Sequence, residues 1–435
     1  MSKLKIISYS IFLFSGFIYA QPDLNTLNVV ARAHKIIDTL ASPHLGGRGY
    51  VDNGNQRAAM YLNNQFKKLG LVPFGKSFEQ KFDYPVNTFP TPYTVSVNDN
   101  LAIAGADYIV MPVTCTTSGT FPVVRFDRTI LMDTNMVKDF FTKDYSNSFV
   151  LIDDSGAANI KEKEIWESLK LNRFKAKGII YLCDKLTEET SETVSDFAFL
   201  EALRNGPFKY ATTITLDIKN KLIPNFPTQN LIGYIKGNVK PDSFIVFTAH
   251  YDHLGKMGQI YFPGANDNAS GIAMLLSLAR YYTEHKDSLR YSVAFMAFSG
   301  EEIALLGSKY YTEHPLFPLP NIRFLINMDI MGTGDEGITV VNGTVFKSAF
   351  DDLVKINQQQ HLLKLVKLRG ETANSDHYFF YKNHVPSFFI YTMGGIKAYH
   401  DIYDRRETLP LTNFSDVYKL LIQFTDDLNK NRFKP

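Results

Sequence analysis

The sequence predicts an α/β protein whose main sheet is covered by helices on both faces, with a separate β-rich unit inserted. Three observations predict it. From about residue 226, continuous apolar runs alternate with amphipathic stretches, as buried strands do between helices. Residues 94–225 instead carry short β-like runs. The composition can fill both cores: 45% of 435 residues are hydrophobic, including 34 Phe and 24 Tyr. That excludes disorder as the main state, and 27 Gly with 2 Cys exclude collagen-like and disulfide-scaffold classes.

The elements follow in chain order. Residues 24–42 and 56–69 repeat apolar positions every three to four residues, which predicts two helices. Gly70 stands where the second helix needs a C-cap. The stretch FPTPY at 89–93 ends this texture. Behind it come YTVSV, YIVMPV, FVLIDD, GIIYLCD and TTITL, with one helical stretch near 160–175. Residues 243–250, 291–298, 322–332 and 385–392 read as buried strands, and 269–285, 303–314 and 413–429 as helices. The organisation expected is a main unit built from 21–93 and 226–435, interrupted by the β-rich unit 94–225.

Residues 1–20, MSKLKIISYSIFLFSGFIYA, have the pattern of a cleaved export signal. Lys3 and Lys5 precede an apolar stretch, and Ala20 ends it. A secreted or periplasmic location without stable membrane insertion is therefore expected. Removing this segment leaves 44 basic and 44 acidic residues, which argues against a nucleic-acid partner. An exported chain permits disulfides. Cys115 and Cys183 either bridge or remain two buried thiols, and the sequence leaves both open.

In α/β sheets, ligands bind outside the carboxyl ends of the strands. The end of strand 243–250 carries His250, Tyr251, Asp252 and His253. The following loop reads GANDNASG at 264–271 and holds Asp267. Strand 291–298 runs into SGEE, with Glu301 and Glu302, and strand 322–332 contains Asp329. The loop after strand 385–392 carries Tyr399, His400 and Asp401. Each residue alone has an ordinary reading, such as Asp267 as a helix N-cap. Together, two His and three carboxylates at equivalent sheet ends supply the N and O ligands that zinc prefers. Five ligands exceed one tetrahedral site, and one bridging carboxylate would let two metals share them. No G-x-S-x-G elbow occurs, which argues against a serine hydrolase.

The motifs HYDH (250–253), GANDNASG (264–271), SGEE (299–302), NMD (327–329), SDH (375–377) and YHDIYD (399–404) resemble the co-catalytic di-zinc exopeptidases. That family includes leucyl aminopeptidases, glutamate carboxypeptidases and glutaminyl cyclases. The spacings of 17, 35, 27 and 71 residues between the five candidate ligands fit it. LGGRG at 45–49 is similar to the start of its catalytic domain, and 94–225 more weakly resembles a protease-associated insertion. The resemblance implies a three-layer α/β/α mixed sheet and two Zn2+ per chain. It implies that Asp267 bridges both metals, that His250 and Asp329 complete one, and that Glu302 and His400 complete the other. Glu301 would be the general base and Asp252 would orient His250. Asp376, in the SDH loop, and Tyr399 would contact substrate or its tetrahedral intermediate. His253, His377 and His384 are read as structural. The function implied is aminopeptidase cleavage of peptides through a zinc-activated water. Alternatives are a dipeptidase or carboxypeptidase of the same chemistry, a glutaminyl cyclase, or a binding protein on an inactive peptidase fold.

Overall fold

The structure, a computed structural model, describes residues 24–157 and 159–430. The expected export signal at 1–20 lies outside them. Two large sheets organise the chain. The first has nine strands: β1 (Val72–Pro73), β2 (Glu79–Thr88), β3 (Lys221–Ile235), β4 (Lys240–His250), β5 (Tyr291–Phe298), β6 (Ile322–Met328), β7 (Gly337–Val341), β8 (Val366–Leu368) and β9 (Ser387–Met393). Their order is β1-β3-β5-β4-β6-β9-β7-β8, with β2 also on β3. The central strands β5, β4, β6 and β9 run parallel, while β3 and β7 are antiparallel to their central neighbours. The sheet is therefore mixed.

Strand alternation divides its two faces. Ile245, Phe247 and Ala249 of β4 join Val293, Phe295 and Ala297 of β5 in one core. Helices α1 (Leu24–Leu40), α2 (Gly54–Leu69), α3 (Gly271–Glu284), α4 (Lys347–Gln360) and α5 (Phe414–Asn429) contribute to that core. The intervening residues Phe244, Val246, Ala294, Met296 and Phe298 face the opposite side, against Tyr311, Phe317 and Phe380. This is the three-layer α/β/α arrangement. Continuous burial of β4 and β5 follows from cover on both faces. Gly70 caps α2 in the left-handed conformation, its N–H on the Lys67 and Phe66 carbonyls.

Several boundaries differ from the expected ones. The helix expected from residue 303 starts at Leu306, because Ala304 and Leu305 have φ near +60°. β7, β8 and α4 were not assigned from the sequence. β3 runs unbroken across residue 225, so the two units share a strand, with a register shift between Ile223 and Phe226 beside Pro224.

The second sheet has eight strands lying between Thr94 and Ile218. Four of them, Thr117–Asp127, Phe149–Asp153, Gly178–Cys183 and Ala198–Leu203, are parallel neighbours. Helices Thr134–Thr142 and Ile160–Leu169 lie between them in sequence. Phe140, Trp166 and Leu169 from those helices pack with Val150 and Ile152. The unit is thus mixed α/β rather than simply β-rich. Cys115 and Cys183 are both free thiols. Among the described residues, no helix is long and apolar enough to cross a membrane.

Candidate metal centre

The carboxyl ends of β4, β5 and β6 deliver most of the site. β4 ends at His250, whose side chain is 1% exposed. The backbone carbonyl of Asp252 accepts from His250 Nδ1 at 3.2 Å. A carbonyl can only accept, so Nδ1 carries the proton and Nε2 keeps its lone pair for the site. Nε2 lies 3.3 Å from Asp267 Oδ1 and 3.3 Å from Asp329 Oδ1. His400 is built the same way from far away in sequence. Its Nδ1 donates to the Glu188 carbonyl at 2.8 Å. Its Nε2 then lies 3.1 Å from Asp267 Oδ2 and 3.1 Å from Glu302 Oε2. The two oxygens of Asp267 therefore face two different histidines, each flanked by a second carboxylate.

The loop holding Asp267 is fixed from below. Arg48 is fully buried, and its guanidinium donates to five carbonyls. These belong to Leu40, Tyr251, Pro263, Gly264 and Asp267, at 2.8–3.1 Å. Burial pulls its pKa down to about 10, so it remains charged near neutral pH. Gly264 has φ +59°, and a Cβ there would sit 2.3 Å from the Asp267 carbonyl. Asp404 accepts from the Asn266 and Asp267 amides at 2.8 and 2.9 Å. Asn268 donates to the Met328 carbonyl and Ser270 accepts from the Met331 amide, which ties this loop to the end of β6. Ser375 donates to Asp329 Oδ2 at 3.0 Å and is itself held by Asn327.

Glu301 and Glu302 diverge. Both of their amides point to Asp252, at 3.3 and 3.4 Å. Glu302 faces His400, while Glu301 Oε2 is 3.9 Å from His250 Nε2. Burial, with repulsion from Asp329 and Glu302, holds the Glu301 carboxyl well above the usual range despite His250. Burial also raises Asp252 to about 6.

These residues fit metal cations. Carboxylates of Asp252, Asp267, Glu301, Glu302 and Asp329 surround two histidines. Burial disfavours charge on His250 and His400, yet the surrounding carboxylates raise both well above 6.5. The cluster therefore draws positive charge into a buried place. Ligand atoms of His250, Asp267 and Asp329 form one compact group, and those of His253, Asp267, Glu302 and His400 another. Asp267 belongs to both.

The other candidates separate. His253, read from sequence as structural, donates from Nδ1 to Glu302 Oε1 at 2.5 Å and so borders the centre. His377 is buried beside Phe389. His384 lies in a turn after helix His377–Lys382 with φ +63°. Asp376 is fully buried, outside the cavity that opens onto the cluster, and burial pushes its pKa to about 7. Tyr399 lines that cavity with its ring stacked on His400, centroids 4.0 Å apart. Sequence reasoning missed Arg48, Ser375 and Asp404 as supports. Their bonds run mostly to backbone groups, which leave no partner motif to read.

Fold and site together define a three-layer α/β/α protein with a cation-binding cluster of histidines and carboxylates at the strand ends. Residues 230–425 match the family model described as Peptidase family M28. Aminopeptidase YwaD of Bacillus subtilis (strain 168) is 36% identical over 121 residues, 27% of this chain and 25% of that protein. The chain spans about a quarter of the length of curated relatives it matches. BSAP, a zinc aminopeptidase from Bacillus subtilis, superposes with a TM-score of 0.68 over 93% of this chain and 96% of that one, at 19% identity. An aminopeptidase from Aneurinibacillus sp. strain AM-1 gives 0.61 over 92% and 94%, also at 19% identity. These structural likenesses are likenesses of fold, and they include the second sheet as well as the first.

Proposed function

We propose that the chain is an exported di-zinc exopeptidase that removes N-terminal residues from peptides. One observation carries this reading: the two oxygens of Asp267 face His250 and His400 separately, at 3.3 and 3.1 Å. Asp329 and Glu302 complete the two groups. His250 and Asp329 would hold one ion, Glu302 and His400 the other, and Asp267 both. The likeness to an aminopeptidase and to a zinc aminopeptidase supports zinc and the amino-terminal choice.

When bound, a zinc pair acidifies water and polarises a carbonyl. The chain's own groups manage the protons. Glu301 Oε2 lies 3.9 Å from His250 Nε2, farther than the three ligand carboxylates lie from their histidines, and its carboxylate would accept the proton of the attacking water and return it to the leaving amine. Asp252 anchors the Glu301 and Glu302 amides and, through its carbonyl, the His250 tautomer. Burial and neighbouring Asp267 keep the Tyr399 phenol protonated, so it remains a hydrogen-bond donor to a substrate oxygen.

Glu301→Gln tests the assignment. It should keep its metal and lose roughly 10²- to 10⁴-fold in kcat. Metal content and turnover measured on the same preparation check it, and wild-type turnover would refute the role.

A further inference from the structure

The geometry points to Arg369 as the residue that selects a substrate carrying a carboxylate within one residue of the bond that is cut. This rests on the peptidase reading above. A cavity of about 190 Å3 opens onto Asp267, Glu301, Asp329 and His400, and Arg369 lines it.

Arg369 follows β8 directly and is half-buried. Its backbone amide donates to the Val340 carbonyl at 3.1 Å, which fixes the chain. Its Nη1 donates to the Tyr391 hydroxyl at 3.0 Å, which fixes the fork. Tyr391 lines the same cavity. Among the described residues, no ion pair involves Arg369. A guanidinium has five N–H donors, and the contacts found use one. The side chain is therefore held at one end, with its remaining donors uncommitted, on the wall of a small cavity.

The charge pattern of that wall is the second observation. The carboxylates lining the cavity, Asp267, Glu301 and Asp329, belong to the cation-binding cluster, where bound metal would balance them. Arg369 stands apart from them as an unneutralised cation. An apolar substrate side chain would desolvate it without replacing its hydrogen bonds. A carboxylate would match its planar fork with two parallel bonds. Asn374, on the same wall, adds a neutral amide. The carboxylate has two possible sources: an Asp or Glu side chain at the N-terminus of the substrate, or the free C-terminus of a dipeptide.

The test uses the metal-loaded full chain and matched pairs. One arm compares Asp and Glu anilides with their Asn and Gln isosteres. The other compares dipeptides with the same dipeptides amidated. The wild type should favour the carboxylate member by roughly ten- to hundredfold in kcat/KM in one arm, mostly through KM. That arm identifies the source. R369Q should bring the ratio close to one, and R369K should retain part of it, since it keeps charge but loses the fork. A wild-type ratio near one in both arms overturns the proposal. So does an R369Q variant that slows both members equally, which marks a merely structural arginine.

If the wild type cleaves no member of either arm, the peptidase reading fails. Calorimetric binding of glutamate against glutamine, and of N-acetylalanine against its amide, then decides the carboxylate site without turnover. A carboxylate preference in either pair that R369Q abolishes supports the site. Equal binding, or no binding, overturns it.

Discussion

His253 shows what a single contact decides. Its Nδ1 holds Glu302 Oε1 at 2.5 Å, while His400 Nε2 faces the other oxygen at 3.1 Å. A ligand carboxylate held at its second oxygen is oriented, and losing such a hold typically costs 10- to 100-fold in metal affinity. His253→Ala should therefore weaken zinc binding by about that factor, measured by competition with a chelating dye. Unchanged affinity would make His253 a packing residue, as the sequence had suggested. His250, Asp267, Glu302, Asp329 and His400 were legible because strand ends expose polar side chains where apolar runs stop. His253 was not, because nothing in its own stretch marks the contact with Glu302. Arg48 was hidden more deeply. It binds carbonyls up to 219 residues distant, and carbonyls have no sequence signature.

At the scale of elements, one loop of the second unit reaches into the site. The Glu188 amide donates to the His400 carbonyl at 2.8 Å, while the Glu188 carbonyl accepts from His400 Nδ1. Lys185 donates to the Lys397 and Tyr399 carbonyls at 3.1 and 2.9 Å. Thr190 donates to the Glu302 carbonyl. His400 sits at φ +52°, a conformation that costs a non-glycine residue about 1 kcal/mol and needs support. The second unit thus braces two candidate ligands. Lys185→Ala combined with Thr190→Val should lower zinc affinity about tenfold, as outer supports generally do. Wild-type affinity in that double variant, measured by the same dye, would separate the unit from the centre. Strong periodicity made α1, α2, α3 and α5 readable to within about two residues at most ends. The α4 stripe of Ala349, Phe350, Leu353 and Ile356 is also present, but the polar residues around it mask it. β7, five residues opened by a glycine, has too little pattern to stand out.

Over the whole molecule, acid and metal act on stability together. His377 is fully buried, and burial lowers its pKa from 6.5 to about 3. The folded state keeps it neutral while the unfolded chain takes a proton below about 6.5. Stability is therefore lost as pH falls from about 6.5 towards 3, with a slope of one proton per molecule. His377→Phe should flatten that limb in urea titrations run across this range, and an unchanged slope would contradict the burial argument. The metal centre makes the larger claim, that two cations share one carboxylate. Zinc content per chain, measured for the wild type and for Asp267→Asn after equilibration at one buffered zinc concentration, tests it most directly. The account predicts about two zinc ions in the wild type and loss of both from the variant together. A wild type holding a single ion, or a variant that still holds two, would contradict it.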